Sequence, residues 1–160
     1  MINILILLVF VFACLLHIVI RRRTLKRTQI IDLVLIYSLV FLVGVEGTIG
    51  FISHVFFANQ TAQMIGWPIG SPFQFEVGFH DGAWGLLGFF CLRWRGAFLL
   101  ATGLGWSFFL LGATYGHIYQ MILHGDYSPY NAGMILPDLI TPIILLTLLY
   151  VKFRKGVQSI

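Results

Sequence analysis

The stretch from Gly66 to Gly82 reads GWPIGSPFQFEVGFHDG. Its first half has loop chemistry: Pro68, Gly70 and Pro72 interrupt any helix, and Trp67 suits a membrane–water boundary. Ser71 before Pro72 reads as a helix N-cap followed by proline at the first helical position. From Phe73 onward the pattern is that of an apolar helix, yet Glu76, His80 and Asp81 interrupt it. The positive end of the helix dipole favours Glu76 in the first turns, but that account does not reach His80 or Asp81. Whether this segment crosses lipid with ionisable groups inside it decides the fold.

The rest of the chain answers for the membrane. Of 160 residues, 59% are apolar and only 10% charged, and the mean hydropathy is +0.92. Soluble domains carry roughly a quarter charged residues. Five apolar runs, at about 2–20, 30–57, 73–94, 97–124 and 137–153, each suit a span of about 20 residues. The expected fold is an all-α integral membrane bundle of five transmembrane helices, a single domain over residues 1–160. Spans two to five form a four-helix core and the N-terminal span packs outside it. The first run carries its charges after the apolar stretch, so it reads as a retained span and not as a signal peptide. The second and fourth runs, each about 42 Å long as helices, must tilt, kink or project beyond the hydrocarbon. Pro142 makes the start of the fifth irregular.

The ten basic residues are Arg21, Arg22, Arg23, Lys26, Arg27, Arg93, Arg95, Lys152, Arg154 and Lys155. They follow span one, follow span three, or lie in the C-terminal tail. With five spans these places share one side, which the positive-inside rule makes cytoplasmic. The N-terminus is then outside and the C-terminus inside a bacterial inner membrane. Loops 58–72 and 125–136 contain no Lys or Arg. Basic residues confined to span ends exclude nucleic acid as a partner. The bilayer is the expected partner, with a homo-oligomer or a membrane complex beside it. Cys14 and Cys91 lie in separate apolar runs without C-x-x-C spacing, so they read as small apolar core residues.

Asp32 and Asp126 read as solvated, and His17 and His124 as interfacial. Glu46, His54, Glu76, His80, Asp81, His117 and Asp138 fall within the spans, mostly toward one end of the bundle. Glu76 and His80 are about 40° apart around a helix and share a face; Asp81, about 100° from His80, turns to another neighbour. Glycines at close-packing spacing accompany them: Gly78 and Gly82, Gly112 and Gly116, and Gly44, Gly47 and Gly50. An ionised group at mid-span costs about 2.5–3.5 kcal/mol. No Lys or Arg lies inside a span, so protons, histidines, water, a metal ion or a cationic ligand must compensate the acids.

Three readings follow. In the first, Glu76, His117, His80, Asp138, Glu46 and His54 bind a divalent zinc, iron, manganese or copper ion, with Gln74, Asp81, Tyr115 and Asn131 in support. In the second, the same pocket binds protons or a small ligand (quinone, haem or lipid) in a redox or transport protein. In the third, the polar groups are structural glue in a structural or assembly subunit of a membrane complex. No nucleophile with a base and an oxyanion hole is present in the pattern, so no catalytic residue is assigned.

The segments IGWPIGSPFQFEVGFHDGAWGLLG, GATYGHIYQM and NAGMILPDLITP resemble a family of small bacterial polytopic membrane proteins of unknown function. That family's pattern, G-W-P-x-G-S-P-F-Q-x-E, falls on Gly66, Trp67, Pro68, Gly70, Ser71, Pro72, Phe73, Gln74 and Glu76. It continues through Gly112, Gly116, His117, Asn131, Gly133, Asp138 and Pro142. The resemblance implies roles for Glu76, His117 and Asp138. More loosely, the chain resembles DoxX-like four-helix membrane bundles, some with redox or quinone-linked roles. The family pattern has a small or apolar residue where His80 stands, so a site relying on His80 would be particular to this branch.

Overall fold

A computed structural model describes residues 2–154, and these are helical throughout with short connections and no strand. In chain order the helices are α1 (Ile2–Arg21), α2 (Arg27–Leu39), a π turn (Val40–Val45), α3 (Glu46–Phe56), α4 (Ala58–Ile65), α5 (Phe73–Phe90) and α6 (Ala97–His124). A 3₁₀ turn (Ala132–Met134) then leads into α7 (Ile135–Phe153). Four helices are long and apolar enough to cross a membrane: Ile2–Arg21, Arg27–Phe56, Ala97–His124 and Ala132–Phe153. The third expected span is not among them. Helix α5 has 18 residues, and Gln74, Glu76, His80 and Asp81 reduce its apolarity.

That helix is also shorter than the apolar run suggests. It ends at Phe90 because residues 91–95 turn back on its C-terminus. There Arg95 donates to the carbonyls of Cys91 and, at 2.7 Å, Leu92, which satisfies terminal acceptors and opposes the negative end of the dipole. At its start, the Ser71 hydroxyl accepts the Phe73 N–H at 3.3 Å, the N-cap geometry expected of Ser-Pro. Lys155 lies outside the described residues.

Helix α5 buries Gln74, Gly78, Asp81, Gly85 and Gly88, a stripe with steps of four and three residues along one face. Helix α3 presents Gly47 to it. A Cβ on Gly47 would lie 2.6 Å from the Asp81 carbonyl oxygen and 2.8 Å from the Gly85 nitrogen. The two backbones are therefore in direct contact. Helices α6 and α7 form the other extensive pair, joined by the loop after Gly125, whose φ of 63° turns the chain at the α6 C-terminus.

The apolar core joins α2 and the π turn to α6 and α7: Leu35, Leu39 and Val43, Cys91, Leu99, Trp106 and Leu110, Leu145 and Leu149. Helix α1 is peripheral. It buries only Ile6, Phe10 and Cys14, against Leu42, and leaves most of its apolar surface open. Both cysteines are thus buried, in separate clusters. Asp32, expected to be solvated, is half-exposed and also paired with Lys152 at 2.5 Å, tying the start of α2 to the end of α7. His17 contacts the Tyr37 hydroxyl at 3.0 Å.

The segment 58–72, expected to be a loop, contains α4. Its buried residues Thr61, Ala62 and Ile65 recur at helical spacing, and Gly66, with φ of 89°, ends it in the left-handed region. The second span is interrupted by the π turn, where the Glu46 N–H bonds the Phe41 carbonyl, five residues back.

If backbone contact holds α3 on α5, Gly47→Ala should lower stability by about 1–3 kcal/mol. Gly112→Ala, where an added Cβ meets nothing within 4 Å, should leave stability unchanged or raise it by up to about 1 kcal/mol. Thermal unfolding of both variants in mild detergent checks the contrast.

Candidate ligand cavity

A cavity of about 760 Å³ opens where α3, α5, α6 and α7 meet beneath the loop that carries Asn131. Helix α3 contributes Glu46 and His54, α5 Asp81, α6 Trp106 and His117, and α7 Asp138. Three acids and two histidines therefore face one space, and no Lys or Arg among the described residues lines it. The remaining wall is mostly apolar and aromatic, including Trp67, Phe109, Tyr119 and Tyr130.

Two helix irregularities adjoin the acids. The π turn ends where Glu46 begins α3. Pro142 lies inside α7 and has no N–H to give the Asp138 carbonyl, four residues earlier, which leaves that oxygen without its helical bond. Glu46 and Asp138 thus both stand beside backbone released from the regular ladder.

The best-defined polar group is His117. Asn131, wholly buried, donates from Nδ2 to the carbonyls of His117 (3.2 Å) and Asp126 (2.7 Å). Its Oδ1 consequently faces His117 Nδ1, at 2.7 Å. A carbonyl oxygen only accepts, so Nδ1 carries the proton. The other ring nitrogen, Nε2, stands 3.5 Å from Asp138 Oδ2. One proton held between these two atoms makes the contact favourable whichever atom carries it. The arrangement Asn131–His117–Asp138 thus sets an oriented imidazole beside a carboxyl group on the cavity wall.

The loop is itself fastened down. Tyr130 N–H donates to Met64 O at 3.0 Å, and Asp126 accepts from Ser128 N–H at 3.0 Å while its carboxylate packs over Gly66. Asp126, expected to be solvated, instead anchors the loop that holds Asn131.

His54 is oriented by Gln74, with Nδ1 2.6 Å from Oε1. Asp81 packs its carboxylate over Gly50, where any side chain would collide with it. The Asp81 carboxylate is met by His80 Nδ1 only at 3.5 Å. His80 in turn accepts the Trp84 indole N–H at 2.9 Å on Nε2 and packs on Phe109, with ring centroids 4.2 Å apart.

These placements divide the six expected ligand residues. Glu46, His54, His117 and Asp138 line the cavity; Glu76 and His80 do not. Glu76 is exposed, and His80 faces α6 and supports Asp81 from outside the wall. Asp81, expected to face elsewhere, lines the cavity instead. The reason is helical phase: Asp81 lies on the Gln74–Gly78–Gly85–Gly88 stripe that packs on α3, whereas Glu76 and His80 fall off it. Gln74 and Asn131 support histidines, and Tyr115 stands at the rim, 70% exposed. Among the described residues no group of three or more His, Cys, Asp or Glu is gathered closely enough to hold a metal ion.

Sequence reasoning missed Trp106. It is 3% exposed and lines the cavity, and its indole N–H has no hydrogen-bond partner. The Gln74 Nε2 beside His54 is likewise buried and unpartnered. Such orphan donors are uncommon inside proteins.

Replacing Asn131 by Ala should destabilise the protein by about 2–3 kcal/mol, because it removes three hydrogen bonds at a buried position. Glu76→Gln should change stability by no more than about 0.5 kcal/mol, as for other exposed positions. Thermal unfolding of the two variants side by side separates a buried framework residue from a surface one.

No curated protein and no solved structure matches the chain. Over residues 1–157 it matches the model of a family of unknown function, DUF6790, and it belongs to that family.

Proposed function

We propose that this is an integral membrane protein that binds a small, largely apolar molecule in its intramembrane cavity, with proton exchange through the His117–Asp138 pair. The observation that carries this reading is the cavity itself: about 760 Å³, mostly apolar, with a few convergent polar side chains. Small-ligand sites have that size and that mixture. Ionisable groups in the interior of a membrane helix mark function by default, and a proton held between His117 and Asp138 gives the site a means of coupling binding to proton movement.

In the same reading α5 is a fifth span, with Gln74 and Asp81 turned to the bundle and Glu76 near its outer end. The basic residues then lie on the cytoplasmic side and the cavity near the opposite face. Quinone, haem or lipid are ligand classes of the right size. A divalent metal is the weaker reading, because His54, His80 and His117 each engage a different partner: Gln74, Trp84 and Asn131.

The test uses protein extracted from its membrane directly into lipid nanodiscs, with bound small molecules and metals identified by mass spectrometry. Gly116 lines the cavity and has open space around an added side chain, so Gly116→Phe should fill the cavity without disturbing the bundle. The expected result is a small organic molecule that co-purifies with the wild type, is lost in Gly116→Phe, and is reduced in His117→Ala. Stoichiometric metal lost in His117→Ala, with no organic molecule, would replace this reading with the metal one. Neither molecule nor metal, in variants that differ only in stability, would leave a structural role.

A further inference from the structure

We infer that the cavity opens sideways into the bilayer through a cleft between α5 and α6, and that it takes a membrane amphiphile whose polar head lies inside and whose apolar chain runs out through the cleft. The inference rests on the cavity-binding reading above and names the class of ligand and its route. The cleft follows from two facing stripes. On α5, Phe73, Val77, His80 and Trp84 recur in steps of four, three and four residues, which is one helix face. On α6, Gly105, Phe109, Gly112 and Gly116 recur in the same steps. The two helices are joined by the short turn at residues 91–96 and run antiparallel. Next to that turn the stripes touch. Trp84 fills the space where a Cβ of Gly105 would stand, and the His80 and Phe109 ring centroids are 4.2 Å apart. The same register sets Val77 opposite Gly112 and Phe73 opposite Gly116. There, however, a Cβ on either glycine would meet nothing within 4 Å. The helices have parted, over a height of about 10 Å from Phe109 to Gly116.

The gap leads into the cavity. Phe73, Val77, Phe109, Ala113 and Gly116 all line it, and none has a polar side-chain atom. His54 lines it from α3 and Asp138 from α7, with His117 turned toward Asp138. The wall is thus apolar on the cleft side and polar away from it. Depth decides what lies outside. From Ala97, beside the Arg93–Arg95 turn, about 30 Å of hydrocarbon extends along α6 for about 20 residues, to near Gly116. The cleft therefore faces acyl chains, in the half of the bilayer opposite the basic residues. Exposed Tyr115 then sits at the boundary, where tyrosines are enriched. Apolar gaps stay dry and accept apolar molecules, so a chain fills this one. A molecule with a head and a chain uses both the polar back wall and the apolar opening. A smaller crevice between α1 and α7 is the competing way in. It shares Asn3 and Glu46 with the cavity but holds only about 110 Å³, and the Asn3 amide donates to Met134 Sδ at 3.8 Å, holding α1 against the start of α7.

Photolabelling of the full chain, purified in detergent and reconstituted into lipid nanodiscs, tests the cleft. The probe is hexadecanol carrying a mid-chain diazirine, with adducts located by mass spectrometry. It should label Leu86 and Phe108 on the outer surface, and also Leu110 and His117 in the cavity. Gly112→Phe, at an exposed position in the cleft, should remove the cavity adducts and leave the surface ones. Val77→Trp plugs the cleft from the α5 side and should do the same. Gly133→Phe, which fills the α1–α7 crevice, should change neither set. Unfolding midpoints close to that of the wild type show that the variants are folded. Surface adducts without cavity adducts in the wild type would overturn the lateral route. The cavity-binding reading would then still be judged by the molecule lost in Gly116→Phe, which does not depend on how that molecule enters. Cavity adducts that survive both plugs would overturn the cleft, and their loss in Gly133→Phe alone would place the opening between α1 and α7 instead.

Discussion

Helices α3 and α5 touch through their backbones, and the polar architecture depends on that contact. Gly47 faces the peptide units of Asp81 and Gly85, and Gly88 faces Gly44 across the same seam. In lipid no hydrophobic force drives one apolar helix against another, so close packing of small residues supplies the attraction. Glu46 adjoins Gly47, and His54 lies two turns further along α3. The seam therefore sets where both stand relative to Asp81. Gly50 completes the arrangement by leaving room for the Asp81 carboxylate. The same glycines that hold the helices together make the pocket for an acid between them.

Around this seam the helices give up regularity where it serves the cavity. A π turn widens the second helix just before Glu46, and Pro142 interrupts the α7 ladder at Asp138. Each irregularity releases backbone groups that an intact helix would have satisfied. In membrane proteins irregular backbone is tolerated where it is buried in protein or lines a cavity. Both irregularities in this bundle occur next to a cavity-lining carboxyl group, so geometry that would be a liability facing lipid becomes part of the polar wall.

The His117 end is organised differently, by loops. Asn131 is held through the Ser128 turn and by Asp126, while Tyr130 is bonded to Met64 at the end of α4. The chain from α4 through Gly66 and the chain from α6 through Gly125 thus dock on each other and close one end of the cavity. The tautomer of His117 is a consequence of that docking, because the Asn131 amide can point only one way once its N–H groups are committed to two carbonyls.

Much of the fold was legible in the residues alone. Apolar runs of span length predict the long helices of α1, α2–α3, α6 and α7, and Ser71–Pro72 predicts the start of α5. Helix α4 was missed, because segment 58–72 lacks strong hydropathy and reads as a loop, although Thr61, Ala62 and Ile65 recur at helical spacing ahead of Gly66. The absence of any Lys or Arg within the spans identified the acids as a group needing compensation. Depth along each span grouped Glu46, His54, His117 and Asp138, which the structure places on one cavity wall, but depth is blind to rotation. The exchange of Asp81 for Glu76 and His80 follows from the glycine stripe of α5, whose facing partner is known only once α3 lies against it. The π turn leaves no mark in the residues, since it is a response of one helix to the packing of its neighbours. Likewise, nothing in the sequence separates Trp106 from the other aromatic residues of a membrane helix. Composition and periodicity by themselves determined an all-helical, membrane-compatible chain with uncompensated acids. Only the tertiary structure decided which acids share a cavity, because that choice depends on helix rotation and close backbone contact between segments far apart in the chain.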